Sequence, residues 1–437
     1  MDEEAPDAIT ELYESDNARH GGECRMSKRW APFFGLRESE MRSQSKVCRA
    51  VTKVVPVAFR LGYEMRRMVN RGAYGIVFLG NRVKDVGGRA YEGRGGLPDT
   101  VAIKMQFVCP KRVKNWRESC AGYGQRAIHY DVAKYESLMH RKVFEAMEAA
   151  RVLGAGANLV PMVPRPVKSQ RTIIGRHGQF EGVPPDGRRR MWVSVSEYVS
   201  GLSLRDWMFS SKDAGTLNGE LFEATIEYVV QYIRRFHDLG FFHGDLHAGN
   251  VLIDAKRMER GQDWLYFIDL ERCIPLSYIR DAPKYVDDPT LQVDVLVATR
   301  FWDFKVFIES VVSLAEACRV GGGRVAEPWA AANPPQPEPA TEEEKRFQRG
   351  VAFAVRILGM YSGNDQSKNP AMWNFARSWI IRSFYIKRNV DALPAAIQAQ
   401  MSLRAAVIRD GEQKDFFFRT LRESRAYHLS TPINNDD

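Results

Sequence analysis

Three polar side chains with different chemistry follow one another in the second half of the sequence. Asp245 and Asn250 belong to one short segment that begins at His243 and runs into the apolar residues 251–253. A carboxylate such as Asp245 can accept or orient the proton of an attacking hydroxyl, whereas the neutral amide oxygen of Asn250 suits a hard cation such as Mg²⁺. Asp269 follows another apolar run, where a carboxylate can hold Mg²⁺ against phosphates. Together they indicate metal-assisted chemistry on a phosphate.

Two further features in the first third of the chain are suited to binding phosphates. Gly72 and Gly75, with Tyr74 between them, precede Val77, and glycines allow backbone amides to approach phosphates closely. Lys104 ends an apolar run on the next predicted strand, where a lysine can reach the same phosphates. Alone, such a glycine pair is typical of a turn and such a lysine of a solvated charge. Their order along the chain favours a nucleotide site.

The N-terminal elements that must position these residues are predicted to be mainly strands. Short apolar runs rich in β-branched residues at 54–59, 76–79 and 101–103 predict a sheet. The glycine-rich residues 86–99 predict a long hairpin loop between the second and third of these strands. Residues 131–153 predict a long helix after the sheet.

The C-terminal elements are predicted to be mainly helices. Residues 161–187 predict strands joined by an exposed loop, and the alternation at 192–195 predicts another strand. The apolar residues from 222 to 236 recur at three- and four-residue steps, which predicts a helix with one apolar face that ends at Gly240. Beyond residue 301 the pattern is mostly helical.

The bulk properties of the chain bound its class. Its 437 residues suit two lobes with a substantial core, and a net charge of +9 is consistent with a solvated surface around a phosphate site. The six cysteines are scattered without paired motifs, which predicts reduced thiols in a cytoplasmic, reducing compartment. No run approaches the roughly 18 apolar residues of a spanning helix, and no nucleic-acid-binding motif is present.

Residues 60 to 315 resemble the protein kinases. The glycine segment, the strand Val101 to Lys104, the segment His243 to Asn250 and the Asp269 segment stand in the order of four motifs of that superfamily: the glycine-rich loop, the lysine strand, the catalytic loop and the metal-binding aspartate. The resemblance implies an α+β, bilobal fold with a β-rich N-lobe, a mainly helical C-lobe and ATP in the cleft between them.

The resemblance implies a role for each matching residue. Lys104 would pair with the α- and β-phosphates of ATP, Asp245 would be the catalytic base, and Asn250 and Asp269 would bind Mg²⁺. In addition to Gly72, Tyr74 and Gly75, the nucleotide would contact the apolar residues Val77, Ala102 and Leu252 and the backbone of the hinge residues Glu197 and Val199, with Ser196 as a small gatekeeper.

Three further assignments follow from the same resemblance. The acidic partner of Lys104 would be Glu136 or Glu145 on the predicted helix, and we prefer Glu136. Asp303 would be a buried aspartate that braces the catalytic loop. His247 would either face the γ-phosphate in its protonated form or be structural, and these alternatives stay open.

The implied domain organisation has five parts. Residues 1–53 would be a flexible extension, 54–200 the N-lobe with inserts and hinge, and 201–320 the core of the C-lobe. Residues 321–341 would form a glycine- and proline-rich linker, and 342–437 a helical part of the C-lobe or an extension.

Several positions depart from the protein-kinase pattern. Asn70 replaces the first loop glycine, Gly244 replaces the arginine of regulated kinases, and Glu271 replaces the glycine after the metal-binding aspartate. Residues 282–284 differ from the segment that shapes peptide grooves. His247 stands where serine/threonine kinases have lysine, and the form of the loop is similar to that of aminoglycoside, choline and lipopolysaccharide sugar kinases.

The resemblance favours a Ser/Thr protein kinase that transfers the γ-phosphate of ATP, with Mg²⁺, to protein hydroxyls. One alternative is a small-molecule kinase that acts on a sugar, an amino alcohol or an antibiotic. Another is a pseudokinase scaffold that docks a partner through the basic residues 111–126. The expected partner is therefore a protein substrate, or a small hydroxyl acceptor in the first alternative, with no specific nucleic acid.

Overall fold

The computed structural model describes residues 63–71, 75–82, 98–109, 128–153, 163–176, 188–260, 264–318, 353–354, 356–361 and 410–430. The chain divides into two compact units. Unit 1 comprises residues 1–141 and 164–199, and unit 2 comprises residues 142–163 and 200–437. The predicted strand at 54–59, the extension at 1–53 and the linker at 321–341 lie outside the described residues.

The described elements mix strands and helices, as the α+β prediction required. In chain order they are β1 (Tyr63–Arg71), β2 (Gly75–Arg82), β3 (Thr100–Cys109), β4 (Ile128–His129), α1 (Tyr130–Val152), β5 (Pro166–Arg176), β6 (Arg188–Glu197), β7 (Leu202–Ser203), α2 (Leu204–Asp213), α3 (Gly219–Asp238), β8 (Phe241–Phe242), β9 (Val251–Ile253), α4 (Ala255–Glu259), β10 (Leu265–Phe267), β11 (Ile274–Pro275), α5 (Leu276–Asp281), α6 (Pro283–Val286), α7 (Pro289–Cys318) and α8 (Asp410–Ser430).

Unit 1 is built on one sheet in the order β1-β2-β3-β6-β5, with β4 paired to β3. Val101, Ile103 and Met105 are buried on one face of β3, because successive side chains of a strand point to opposite faces. Lys104 and Gln106 therefore share the other face. The period-two pattern of this strand thus determines which side chains accompany the lysine.

The hairpin predicted between the second and third strands is confirmed. β2 and β3 are antiparallel neighbours, with Gly75 opposite Gln106 and Val77 opposite Lys104. The strand that precedes the glycine segment is β1, at Tyr63–Arg71, which the apolar pattern did not reveal. β1 lies at one end of the strand order, where a strand can carry charged residues because it packs against fewer neighbours.

Unit 2 contains the amphipathic helix predicted from residues 222 to 236. It is α3, and its start is capped by Asn218, whose side chain accepts a hydrogen bond from the Leu221 amide. Gly240 follows its end with φ of 87°, a conformation that glycine adopts without steric cost. The predicted helix and its glycine stop are therefore both confirmed.

The cysteines follow the sequence prediction only in part. Cys273 and Cys318 are free and buried, as expected of reduced thiols. Cys109, at the end of β3, is disulfide-bonded, so the prediction is wrong at this residue. No helix in the described part of the chain is both long and apolar enough to cross a membrane.

Candidate active site

Unit 1 contributes an ion pair between β3 and α1. The Nζ atom of Lys104 lies 2.6 Å from Oε1 of Glu136, and both side chains are partly shielded from solvent. Glu145, two turns further along α1, is exposed. The structure therefore brings Lys104 together with the preferred one of the two candidate glutamates.

Gln106 is a third member of this group that the motifs did not indicate. Its Nε2 donates to Oε2 of Glu136 over 3.3 Å, so that each carboxylate oxygen of Glu136 has a donor. Gln106 is 1% exposed, and its Oε1 atom has no hydrogen-bond partner among the described residues. The sequence feature that could have revealed Gln106 is its position two residues after Lys104, which places both side chains on the same face of an otherwise apolar strand.

His140 joins α1 to the chain segment that leads into β5. It lies one turn after Glu136, and its Nε2 atom donates to the carbonyl oxygen of Pro164 over 2.6 Å. Burial lowers the pKa of His140 to about 4, against the opposing effect of the bond to Pro164, and the charge of Lys104 lowers this pKa further. His140 is therefore neutral near pH 7.

The predicted hinge follows β6 at the end of unit 1. The amide of Glu197 donates to the Arg165 carbonyl over 2.8 Å, and the Tyr198 amide donates to the Thr100 carbonyl over 3.1 Å. Both of these amides therefore already have partners within unit 1. Gly72 and Tyr74 lie outside the described residues.

The predicted apolar contacts of the nucleotide lie on three strands. Val77 and Ala102 are half-buried on β2 and β3, and Leu252 is half-buried on β9 of unit 2. The packing of β2 against β3 explains why residue 75 is a glycine. A Cβ atom at this position would lie 2.9 Å from the Met105 carbonyl oxygen.

In unit 2 the segment His243 to Asn250 is held by α7. Asp303 is fully buried and accepts hydrogen bonds from the backbone amides of His243 and Gly244. Trp302, the preceding residue of α7, donates its Nε1 to the Gly244 carbonyl over 3.1 Å. Two consecutive residues of one helix therefore hold the peptide that leads into Asp245, which is the bracing role predicted for Asp303.

Gly244 cannot carry a side chain in this structure. Its φ is 77°, and a Cβ atom would clash with the Arg272 carbonyl and lie 2.7 Å from Cζ of Phe417. Glycine at this position is therefore required by the packing of this chain.

Asp245 has a basic neighbour that sequence analysis missed. The Nη1 atom of Arg272 lies 3.1 Å from Oδ1 of Asp245, and Nε of Arg272 lies 3.6 Å from Oε1 of Glu271. Arg272 follows Asp269 by three residues, but sequence distance alone does not show that its side chain turns back to Asp245. The guanidinium therefore places a positive charge directly beside the carboxylate of the candidate base.

The two predicted metal ligands lie on connected segments. Asn250 donates its Nδ2 to the Asp245 carbonyl over 2.8 Å, which leaves its side-chain oxygen as the atom for a cation. The Asn250 carbonyl accepts from the amide of Ile268, the residue before Asp269, over 3.0 Å. An amide oxygen and a carboxylate are hard ligands that fit Mg²⁺.

Asp269 has a left-handed backbone, with φ of 66° and ψ of 62°. This conformation is uncommon for residues other than glycine, asparagine and aspartate, and it is often retained at functional sites. Among the described residues other than glycine, Asp269 alone has a positive φ.

The geometry of His247 favours the structural one of its two predicted roles. Its Nδ1 atom accepts a hydrogen bond from the Gly249 amide over 3.0 Å, which ties the ring to the backbone of its own loop. A Cβ atom at position 249 would lie 2.9 Å from the same ring. His247 thus caps the short helical turn that ends at Asn250.

The lysine–glutamate pair, the braced loop with Asp245 and Asn250, and Asp269 after a short strand are parts that the resemblance to protein kinases implied. The family model described as the lipopolysaccharide kinase (Kdo/WaaP) family matches residues 189–282, which include the loop and Asp269.

Comparisons with whole proteins give further findings. No curated protein matches the sequence. Among solved structures, the chain is similar to WaaP in complex with acyl carrier protein, with 14% identity over 73% of this chain and 87% of the other, at a TM-score of 0.32. It is also similar to the BubR1 kinase domain, with 14% identity over 83% of this chain and 84% of the other, at a TM-score of 0.35.

Proposed function

We propose that this protein is an ATP- and Mg²⁺-dependent kinase that phosphorylates a hydroxyl group of a small molecule, specifically a sugar. The observation that carries the proposal is the braced segment His243 to Asn250, in which one loop presents a base and a metal ligand. The match of residues 189–282 to a family of lipopolysaccharide kinases supports the sugar as the acceptor class. The small-molecule alternative of the sequence analysis thereby becomes the main reading.

Each residue has one task in this reaction. Lys104, held by Glu136, binds the phosphates of ATP, and the hinge backbone at Glu197 and Val199 binds the adenine. Asp245 accepts the proton of the attacking hydroxyl while the γ-phosphoryl group moves in line from ATP to the acceptor oxygen and ADP leaves.

Asn250 and Asp269 would hold Mg²⁺, which neutralises the charge that develops on the phosphates. The protein contributes orientation, because the Asn250 amide is fixed by the Asp245 carbonyl and cannot rotate freely. Positioning of this kind accounts for much of the rate in phosphoryl transfer.

A protein acceptor is the second candidate. Its support is the resemblance of the hinge and of the lysine strand to those of protein kinases. Against it, Gly244 leaves no room for the arginine through which regulated protein kinases respond to a phosphorylated activation segment.

The deciding experiment is a labelled-ATP assay with a panel of acceptors. We expect label on phosphorylated or acidic sugars of the lipopolysaccharide core, and none on aminoglycosides or generic basic proteins. Label on the basic proteins alone would contradict the sugar proposal and favour the second candidate.

Two substitutions test the assignment of residues. Asp245→Ala should abolish transfer and largely spare ATP binding, because the carboxylate acts on the acceptor hydroxyl. Lys104→Met should abolish transfer as well and weaken ATP binding. Retained turnover in both variants would overturn the mechanism, whereas the exposed Glu145→Gln serves as a control that should behave like the wild type.

A further inference from the structure

The C-terminal helix α8 packs in unit 2 against the segments that carry the candidate catalytic residues. Its buried residues recur at three- and four-residue steps, so that one face of the helix is covered. These residues are Phe417, Thr420, Leu421, Ser424 and His428. The motifs around Asp245 and Asp269 give no indication of this placement.

Phe417 lies over Trp302 and Gly244. Its ring stacks on that of Trp302, with centroids 5.0 Å apart and planes 12° apart. Its Cζ atom occupies the space that a side chain at position 244 would need. Phe417 therefore closes one side of the peptide that precedes Asp245.

The contact reaches the backbone of the loop through α7. Trp302 donates to the Gly244 carbonyl, and the next residue, Asp303, accepts from the amides of His243 and Gly244. A shift of the Trp302 ring would therefore disturb hydrogen bonds on both sides of this peptide.

Two other side chains of α8 contact the segment that follows Asp269. Arg425 donates its Nη2 to the Glu271 carbonyl over 2.7 Å. The ring of Phe418 lies 5.4 Å from the guanidinium of Arg272, and Arg272 pairs with Asp245. The helix thus contacts the loop and the basic partner of the candidate base.

Glu423 connects α8 to the region that follows the metal-binding segment. Its carboxylate accepts from the Tyr278 hydroxyl over 3.2 Å and pairs with Lys284. Tyr278 is on α5 and Lys284 is on α6, so α8 is tied to both of these short helices.

We propose that α8 is a positioning element of the catalytic loop and that Phe417 is the residue through which it acts. The proposal rests on the proposed phosphotransfer function. Because Phe417 fills the space beside Gly244, the loop is held by an apolar contact within the chain. The loop accordingly needs no phosphate on the activation segment to reach its working geometry.

The test uses full-length Phe417→Ala and Phe417→Met, with Arg422→Ala as the control on the exposed face of α8. We measure kcat and the KM for ATP in the sugar assay, and amide hydrogen exchange in peptides that cover residues 241–252. Phe417→Ala should lower kcat by about 10- to 100-fold with little change in KM, because small displacements of a catalytic group are costly.

The exchange measurement has its own expected result. The amides of His243 and Gly244 should exchange faster in Phe417→Ala, while Phe417→Met, which refills the space, should restore most of the protection and of kcat. Arg422→Ala should match the wild type in all readouts. If Phe417→Ala does not fold, Phe417→Leu tests the same contact with a smaller loss of kcat, and Arg425→Gln tests the contact of α8 with the Glu271 carbonyl.

Two outcomes would overturn the proposal. One is a Phe417→Ala protein with kcat and exchange equal to those of Arg422→Ala. The other is exchange that rises equally throughout unit 2 while kcat falls only with the folded fraction. Faster exchange confined to 243–250 supports the role of α8 even where the wild type transfers no phosphate, a result that contradicts the proposed function alone.

Discussion

At the scale of single residues, backbone conformation explains why this loop departs from the protein-kinase pattern. Gly244 has a positive φ and faces two groups that leave no space for a Cβ atom. Gly215 has a similar φ of 69°, but no atom would lie within 4 Å of its Cβ. Substitution of these two glycines therefore distinguishes the free-energy cost of a left-handed backbone, present at both positions, from that of a steric clash, present only at position 244.

We predict that Gly244→Ala lowers the free energy of unfolding by about 3 kcal/mol or more, because the left-handed conformation and a collision with backbone act together. Gly215→Ala should cost only about 1 kcal/mol, which is the conformational part. Urea denaturation of both variants measures the difference. Equal losses would show that position 244 tolerates a side chain.

A second residue-scale prediction concerns Gln106 and Glu136. Gln106→Leu removes the donor to Oε2 of Glu136, so the effects of Gln106→Leu and Glu136→Gln on the free energy of unfolding should be non-additive by about 1 kcal/mol or more. A double-mutant cycle by urea denaturation checks this. The matched pair of Gln106→Leu with Glu145→Gln should be additive, and additivity in both cycles would contradict the contact.

At the scale of elements, α1 is fixed by polar contacts at successive turns. Glu136 binds Lys104 on β3, and His140 binds the Pro164 carbonyl before β5. Trp192 of β6 also donates to Ser137 over 2.8 Å. The helix that carries the acidic partner of Lys104 therefore has a defined rotation about its axis.

The low pKa of His140 predicts a pH dependence of stability. The unfolded chain binds a proton at this residue near pH 6.5, whereas the folded chain binds it only near pH 4. The stabilising effect of the neutral residue is therefore complete above pH 6.5 and is lost as the pH falls toward 4, with a slope of up to about 1.4 kcal/mol per pH unit.

The measurement is urea denaturation across this pH range for the wild type and for His140→Gln, whose amide can still donate to Pro164. The free energy of unfolding of the variant should fall less steeply below pH 6.5. A variant with the same slope as the wild type would show that His140 titrates normally in the folded chain.

At the scale of the whole molecule, the chain forms two compact units, and each contains some of the residues proposed for ATP or Mg²⁺. Lys104 and Glu136 belong to unit 1, and Asp245, Asn250 and Asp269 belong to unit 2. Each unit retains the side chains that the proposed phosphoryl transfer requires of it, which disfavours the scaffold alternative of the sequence analysis.

Mg-ATP should therefore stabilise the folded chain as a whole. At a concentration 100-fold above its Kd the expected gain is about 2.7 kcal/mol, measured as a rise in Tm. The rise should shrink on removal of Mg²⁺ with EDTA and in Asp269→Ala or Lys104→Met. If wild-type Tm does not respond to Mg-ATP, the scaffold reading is the better one.

The sequence by itself determined which residues are candidates for the chemistry, and much of the secondary structure. Asp245, Asn250 and Asp269 were recognisable because local motifs and strand ends depend on neighbours in the chain. The helix that ends at Gly240 and the hairpin of β2 and β3 followed from periodicity and glycine for the same reason.

Only the tertiary structure decided the partners of these residues. It shows that Glu136, and not Glu145, pairs with Lys104, and that Gln106 donates to the Glu136 carboxylate. It also shows that Arg272 pairs with Asp245 and that Phe417 lies beside Gly244. These contacts join residues distant in sequence or depend on which way a side chain turns. The periodicity of a helix or strand records which residues share a face, but it carries no information on what that face meets.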